Sequence, residues 1–277
     1  MIAARHRRRL PRRQRFPGLS FNRMLPNLMT LLGLCIGLSA IRFGMQDRYG
    51  AAVIAIAVSM VIDGLDGRLA RMLKATSRLG AELDSLSDFL CFGVAPALLL
   101  YMWSLQSLGA IGFLPPLMFA SSMALRLARF NAALDTAPKA AFAYNFFTGV
   151  PAPAGAALAL FPLFLGLEAD ELGLSWLHEL AAFPLFTGAV LVVVGGLSVS
   201  TLPVWSFKNF KIPTAGLLPL LFGVVVLASL ILADPYLAGA LLALAYMVML
   251  PFSLRSYRKL ARQAEERRAA AEDVVEA

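Results

Sequence analysis

Four aspartates interrupt segments that are otherwise almost entirely apolar, and their types and spacing are the strongest chemical signal in the chain. They are Asp63, Asp66, Asp84 and Asp88. A carboxylate at membrane depth costs roughly 2.5–3.5 kcal/mol, so side chains of this kind face a polar cavity or a partner. Carboxylate oxygens are hard ligands that suit Mg²⁺, Mn²⁺ or Ca²⁺. The pattern therefore predicts a divalent metal site.

Small residues accompany the aspartates on both predicted helices. The first two aspartates are i,i+3 neighbours and the last two are i,i+4 neighbours, so each pair shares one helix face. Gly67 and Ala70 follow the first pair by one turn, and Gly80 precedes the second pair by one turn. Small residues let a ligand or another backbone approach closely, and Arg71 adds a cation at the rim. We expect a metal-bound polyanion with a flat group, such as a pyrophosphate joined to a nucleobase.

The composition is that of an integral membrane protein. Of the 277 residues, 59% are hydrophobic and only 15% are charged, whereas soluble proteins have about 25% charged residues. Apolar segments of about 20 residues are long enough to span a bilayer as helices. The sequence predicts an all-α integral membrane fold with about eight such helices, at residues 25–43, 50–70, 82–104, 108–128, 149–167, 180–200, 213–233 and 235–254.

The distribution of basic residues predicts the orientation. With the N-terminus in the cytoplasm, 23 of the 25 Lys and Arg residues fall on the cytoplasmic side, and only Arg42 and Arg48 lie outside. Cytoplasmic loops of membrane proteins carry such an excess of Lys and Arg. We therefore expect both termini, and the aspartate site, to face the cytoplasm.

Three regions are expected along the chain. Residues 1–24 form a basic cytoplasmic segment, residues 25–254 a membrane domain, and residues 255–277 a charged cytoplasmic tail. The arginine-rich stretch at 5–15 suits anionic lipid, which attracts each basic residue near the surface by about 1 kcal/mol. Nucleic acid is not expected as a partner.

The stretch from Asp63 to Asp88 reads D-x2-D-G-x2-A-R-x8-G-x3-D-x3-D without a departure. It resembles the signature of the CDP-alcohol phosphotransferase family. The resemblance implies a multi-pass enzyme of the cytoplasmic (inner) membrane, usually a homodimer, with its active site facing the cytoplasm. Such an enzyme moves a phosphatidyl-type group from a CDP-linked lipid to an alcohol and releases CMP.

The resemblance also implies roles for individual residues. Asp63, Asp66 and Asp84 would hold divalent metal, two ions of Mg²⁺ or Mn²⁺, and Asp88 would both contribute to that site and act as the catalytic base. Asn27, at the start of the first segment, is equally open to a role as a helix cap. The residues implied for CDP binding are Asn27, Thr30, Gly67, Ala70, Arg71, Ser77 and Gly80.

Further segments, at 92–97, 126–131, 148–153 and 199–208, resemble the membrane-embedded phosphatidylserine synthase branch of the family. That branch implies CDP-diacylglycerol and L-serine as substrates. Arg126, Arg129 and Asn131 are the candidate acceptor-binding residues, because an arginine can hold a carboxylate through two parallel hydrogen bonds. Anchoring to lipid headgroups explains the two arginines equally well.

Two alternatives stay open at this point. The acceptor of the same reaction would be glycerol 3-phosphate, an inositol phosphate or choline instead of serine. A divalent-cation transporter would also need intramembrane carboxylates, but it would spread them along a path through the bilayer. Grouping of all four aspartates on two adjacent helices favours the enzyme.

Overall fold

The structure, a computed structural model, describes residues 21–133, 146–206 and 216–276, and these are almost entirely helical. The basic stretch at 5–15 lies outside the described residues, as do Lys208 and Lys211. The α-helices are α1 (Phe21–Gly44), α2 (Tyr49–Met72), α3 (Arg78–Asp88), α4 (Ala95–Trp103), α5 (Leu114–Ala133), α6 (Ala152–Ala159), α7 (Phe161–Glu171), α8 (Ser175–Ala181), α9 (Pro184–Val199), α10 (Leu217–Ala233) and α11 (Pro235–Glu276). A π-helical segment (Phe89–Val94) joins α3 to α4, and a 3₁₀ segment (Leu105–Phe113) leads into α5.

The helices follow the expected apolar segments in order. Within the described residues, five helical stretches are long and apolar enough to cross a membrane, and α6–α7 and α8–α9 each form a bent pair that qualifies as a broken span. The remaining apolar helix, α10, has 17 residues. Each predicted segment coincides with an apolar helix or a bent pair, but only five to seven of them are long enough to count as membrane spans. The all-α integral membrane class is confirmed.

The apolar surface agrees with a lipid environment. None of the residues of α10 is buried, and Leu218, Phe222 and Leu232 are more than 70% exposed. Such an extended apolar surface is not a feature of soluble monomers. The last helix, α11, continues without a break from Pro235 to Glu276, so the boundary expected near residue 254 is not a helix end.

Glycines on α1 bring this helix close to its neighbours. Gly33 and Gly37 are one turn apart, as in the small-x3-small pattern of membrane helix pairs. A Cβ on Gly33 would lie 3.1 Å from Ile62 Cγ2 on α2, and one on Gly37 would collide with Cys91 Sγ in the π segment. This close packing holds the beginning of α1 against the aspartate-bearing part of α2.

The π segment has an identifiable local cause. Pro96 has no N–H to give to the carbonyl four residues earlier, and its ring crowds that carbonyl. The helix widens there instead, and the Ala95 N–H donates to the Leu90 carbonyl, five residues back. A widened turn changes the direction in which the following side chains point. The residues after the π segment are therefore rotated relative to the aspartates of α3, and Phe92 within it is buried in the core.

Prolines also explain the two bent spans. Pro162 lies at the beginning of α7 and Pro184 at the beginning of α9. The angles between the helices of each pair are 44° for α6–α7 and 49° for α8–α9. A proline is tolerated in the first turn of a helix but cannot continue the preceding one, so each span breaks at that point.

A short two-stranded ribbon was not predicted from the sequence. Strand β1 (Phe146–Thr148) pairs antiparallel with β2 (Pro203–Trp205). The next residue, Gly149, has φ +77°, and a Cβ there would lie 2.6 Å from the Ser198 carbonyl oxygen. Only glycine fits such a position without strain. The ribbon is fixed to α11 by Ser253, whose hydroxyl donates to the Pro203 carbonyl at 2.8 Å.

Candidate active site

The aspartates of α2 and α3 converge. The two helices are joined by a turn in which Lys74 adopts φ +50°, and this turn lays α3 back along α2. As a result, Asp63, Asp66 and Asp84 each place one carboxylate oxygen within 4.8 Å of the others. Three carboxylates this close repel one another strongly, so the group fits a divalent cation.

Asp88 extends this group further into the protein. Asp63 lies within hydrogen-bonding range of both Asp84 and Asp88. The Oδ1 atom of Asp88 is buried and has no hydrogen-bond partner among the described residues. Burying a polar atom without a partner is costly, so this oxygen also fits a bound cation or a substrate group.

A cavity of about 270 Å³ opens beside the aspartates. Asp66 and Asp84 form part of its wall, while Asp63 and Asp88 lie one helical turn deeper, on the side away from the α2–α3 turn. All seven residues implied for CDP binding line this cavity. The complete lining is Pro26, Asn27, Thr30, Asp66, Gly67, Ala70, Arg71, Ala75, Thr76, Ser77, Gly80, Ala81 and Asp84.

Two polar residues of α1 connect it to the other helices of the cavity. The Thr30 hydroxyl is 2.6 Å from Asp66 Oδ2 and 3.1 Å from the Pro26 carbonyl oxygen, so its proton is directed at the carboxylate. The Asn27 side chain approaches Gly80, where a Cβ would lie 2.9 Å from its Oδ1. Because α1 begins at Phe21, Asn27 is inside the helix, and the alternative role as a helix cap is wrong.

The two glycines of the signature differ in what they allow. A Cβ on Gly67 would meet only Arg71 Nη1, at 3.8 Å, so Gly67 borders open cavity. Gly80 is instead in contact with protein: it packs against Asn27, and its N–H donates to Ser77 Oγ at 3.0 Å, which caps α3. Gly67 therefore leaves room for a ligand, whereas Gly80 lets α3 begin close to α1.

The two candidate acceptor-site arginines of α5 have different surroundings. Arg126 donates through Nε to the Val150 carbonyl at 2.6 Å and interacts electrostatically with Asp88. Arg129 is committed to backbone carbonyls: Nη1 donates to Val199 at 2.6 Å, and Nη2 to Ser200 at 3.0 Å and to Thr148 at 3.5 Å. Arg126 thus faces the aspartates, and Arg129 ties the ribbon segments to α5.

Asn131 and Tyr246 complete the surroundings of this pair. The Asn131 amide donates to Ser85 Oγ at 2.9 Å and thereby links the end of α5 to α3. Tyr246 on α11 has a buried hydroxyl without a hydrogen-bond partner among the described residues, and its side chain is close enough to interact electrostatically with Arg126.

Several residues of this site were not predicted from the sequence. Ala75 and Thr76 lie in the x8 spacer of the signature, so their position between the two halves of the signature could have indicated that they line the cavity. Tyr246 gave no such signal, because a tyrosine in an apolar membrane segment is ordinary.

Comparisons with known proteins agree with this geometry. The family model described as CDP-alcohol phosphatidyltransferase matches residues 23–186. A protein of Mycobacterium tuberculosis (strain H37Rv) named CDP-diacylglycerol–serine O-phosphatidyltransferase is 39% identical over 244 residues, which cover 87% of this chain and 82% of that protein. Proteins with the same name from Helicobacter pylori (strain J99) and Bacillus subtilis (strain 168) are each 35% identical, over 68% and 55% of this chain and 74% and 85% of their own lengths.

The family model thus covers more than half of the chain, and the region that it matches includes the aspartate cluster, the cavity and both arginines of α5. The chain belongs to the CDP-alcohol phosphatidyltransferase family.

Proposed function

We propose that this protein transfers the phosphatidyl group of CDP-diacylglycerol to the hydroxyl of L-serine, giving phosphatidylserine and CMP for phospholipid biosynthesis. The observation that carries the proposal is that Arg126, held by the Val150 carbonyl, interacts electrostatically with Asp88 at the inner end of the aspartate cluster. The relatives named for the serine reaction support the same acceptor.

The cavity provides a binding surface for the CDP end of the lipid. Gly67 and Ala70 leave space for the flat nucleoside, and Arg71 at the rim supplies positive charge for the polyanion. Asn27, Thr30, Ser77 and Gly80 fix the opposite wall. The cavity ends at Asp66 and Asp84, so a diphosphate bound there would have its reacting phosphorus near the carboxylates.

Divalent metal, two ions of Mg²⁺ or Mn²⁺, would be held by Asp63, Asp66, Asp84 and Asp88. The close carboxylate oxygens and the unpartnered Asp88 Oδ1 support this assignment. When bound, such ions neutralise the diphosphate and the charge that develops on the leaving CMP. Thr30 holds the Asp66 carboxylate in position through its hydrogen bond.

Asp88 is the proposed base. The serine hydroxyl oxygen attacks the phosphorus that bears diacylglycerol, a new P–O bond forms, and the bond from that phosphorus to the bridging oxygen breaks. CMP leaves with the bridging oxygen, and the hydroxyl proton passes to Asp88. A positioned carboxylate can accept a proton in this way. Asp88 interacts electrostatically both with the metal-binding aspartates Asp63 and Asp84 and with Arg126.

Arg126 is the proposed contact for the serine carboxylate. Its Nε donates to the Val150 carbonyl, which restricts the orientation of the guanidinium, and neither Nη group has a hydrogen bond to the residues that the structure describes. The buried, unpartnered Tyr246 hydroxyl lies nearby and would supply a further polar contact. The role of Arg129 and Asn131 in acceptor binding would be indirect, through the ribbon carbonyls and Ser85 that they hold.

The cellular placement is part of the proposal. The distribution of Lys and Arg supports an inner-membrane protein with both termini and the active site on the cytoplasmic side. A homodimer is proposed from the family resemblance, with twofold symmetry as the usual arrangement. The basic residues at 5–15 would contact the anionic membrane surface.

The proposed acceptor can be tested with purified protein, CDP-diacylglycerol and Mn²⁺ or Mg²⁺ by measuring CMP release. We expect release with L-serine and none above background with glycerol 3-phosphate, an inositol phosphate or choline. CMP release with only one of those three would show that the acceptor is wrong, although the reaction type would stand. Metal uptake into proteoliposomes without any CMP release would favour a transporter.

Filling the cavity at Gly67 should weaken binding of the CDP-lipid. Gly67→Val places methyl groups in open cavity, so we expect the KM for CDP-diacylglycerol to rise about tenfold or more, where tenfold corresponds to about 1.4 kcal/mol. The matched control is Gly64→Val on the same helix, because a Cβ at Gly64 also has no atom within 4 Å and Gly64 is not part of the cavity wall. Equal effects of the two variants on KM would contradict the proposed pocket.

Replacing the base should separate turnover from binding. In Asp88→Asn we expect the rate of CMP release to fall about 10²–10⁴-fold, the usual contribution of a general base, while Mn²⁺-dependent binding of CDP is largely kept. Asp66→Asn should instead lose CDP binding, and Asp47→Asn, an exposed carboxylate outside the site, serves as control. If Asp88→Asn lost CDP binding as completely as Asp66→Asn, its main role would be metal binding.

The two arginines should respond differently to lysine. Arg126→Lys keeps the charge but loses the planar guanidinium. A hydrogen bond to a charged group contributes about 1.5–3 kcal/mol, so we expect the KM for serine to rise roughly ten- to hundredfold. The KM for the CDP-lipid should change less. Arg129→Lys should lower the thermal midpoint and change both KM values together. A selective serine effect in Arg129→Lys, and none in Arg126→Lys, would reverse the assignment.

A further inference from the structure

A second group of carboxylates lies at the opposite end of the helical bundle from the cavity. Glu168 and Glu171 are in the last turns of α7, and Asp234 precedes α11; one carboxylate oxygen of each lies within 4.8 Å of the others. Tyr236, two residues after Asp234, packs against Gly50 at the beginning of α2. Asp63 is 13 residues further along α2, which corresponds to about 20 Å along a helix.

Glu168 distinguishes this group from an ordinary acidic surface. Its side chain is only 7% exposed, and its Oε2 atom is buried without a hydrogen-bond partner among the described residues. Glutamate is almost never buried to this extent unless it is paired. A buried, unpartnered carboxylate oxygen beside two further carboxylates indicates that a positively charged ligand belongs there.

The described residues around this group supply no such charge. Residues 146–206 and 216–254 contain no Lys or Arg, and in the described part of the chain no Lys or Arg nitrogen lies within 4.0 Å of these three carboxylates. The nearby histidine, His178, is paired with Asp170 at 2.8 Å. The three negative charges therefore have no counter-charge from a neighbouring side chain.

The Asp234 carboxylate is held by backbone N–H groups of α11. Its Oδ1 accepts the N–H groups of Tyr236 at 3.1 Å and Leu237 at 2.9 Å, which caps the beginning of α11. These two bonds fix the orientation of the carboxylate, and the Glu168 side chain lies within hydrogen-bonding range of Asp234. Glu171 is exposed at its edge, which gives an ion and its remaining water ligands access from solvent.

We propose that Glu168, Glu171 and Asp234 form a structural site for a hard divalent cation, Ca²⁺ or Mg²⁺, separate from the aspartate site and independent of the proposed reaction. Oxygen-only ligands suit these ions. The bound ion would join the end of α7 to the α10–α11 turn. This connection matters for α10, which has no buried residue of its own.

The test uses the full chain in detergent with Asp63→Asn and Asp66→Asn already introduced, so that the cavity site is removed. We expect this protein to bind one Ca²⁺ or Mg²⁺ ion per chain in equilibrium dialysis against CaCl₂ or MgCl₂. Its thermal midpoint should be higher when the salt is present. Adding Glu168→Gln should raise the dissociation constant at least about 10–100-fold, the range seen even for residues that only hydrogen-bond to a metal ligand. Adding Glu179→Gln, an exposed carboxylate outside the group, should change neither result.

Asp234→Asn is the second variant and guards against a folding failure of Glu168→Gln, because asparagine caps a helix as well as aspartate does. It should also lose cation binding while keeping α11 intact. Absence of saturable binding in the starting protein, or binding that survives both substitutions, would overturn the site. A shared proton between Glu168 and Asp234 would give a different pair of results. The starting protein would bind no cation, and Glu168→Gln would raise the thermal midpoint and remove its dependence on pH.

Discussion

The main constraint on this structure is the mutual repulsion between carboxylates that its helices hold close together. Three aspartates from α2 and α3 place oxygens within 4.8 Å of one another. At an effective dielectric constant of about 20, each pair at that distance costs at least about 3 kcal/mol. The packing of α1, α2 and the π segment must hold the helices against this repulsion, and a cation is the obvious way to relieve it.

The neighbouring residues show how the fold uses this constraint. Close packing at Gly33 and Gly37 keeps α1 against α2, so Thr30 can orient Asp66 without adding a charge. The widened turn after Asp88 allows α4 to continue into the core while α3 keeps its aspartates on the site side. The close carboxylates thus destabilise the fold, and the apolar contacts around them stabilise it.

Much of this site could be predicted from sequence because it is local. Asp63 to Asp88 lie on two consecutive helices, so helical periodicity groups each pair of aspartates. The resemblance extends the prediction to seven of the thirteen residues that line the cavity. What could not be predicted depends on contacts between distant segments. The different surroundings of Arg126 and Arg129 arise from carbonyls 19 to 71 residues away, and Tyr246 reaches the site only because α11 returns to it. The ribbon likewise depends on pairing between distant residues, 146–148 and 203–205. The π segment and the two bends have local causes in prolines, but a count of apolar segments does not contain their effect on helix geometry.

Under the proposed function, the difference between the two arginines bears on acceptor choice. A guanidinium bound to three backbone carbonyls, as in Arg129, already uses the donors that would hold a substrate carboxylate. Arg126 has one such bond, which restricts its rotation without using its outer donors. The carbonyls that receive these bonds lie in the segments around 148–150 and 199–200, the same segments that resemble the serine-using branch. Sequence in those segments can therefore influence the acceptor without touching it, because it sets where the ribbon carbonyls lie and hence where the Arg126 guanidinium stands relative to Asp88.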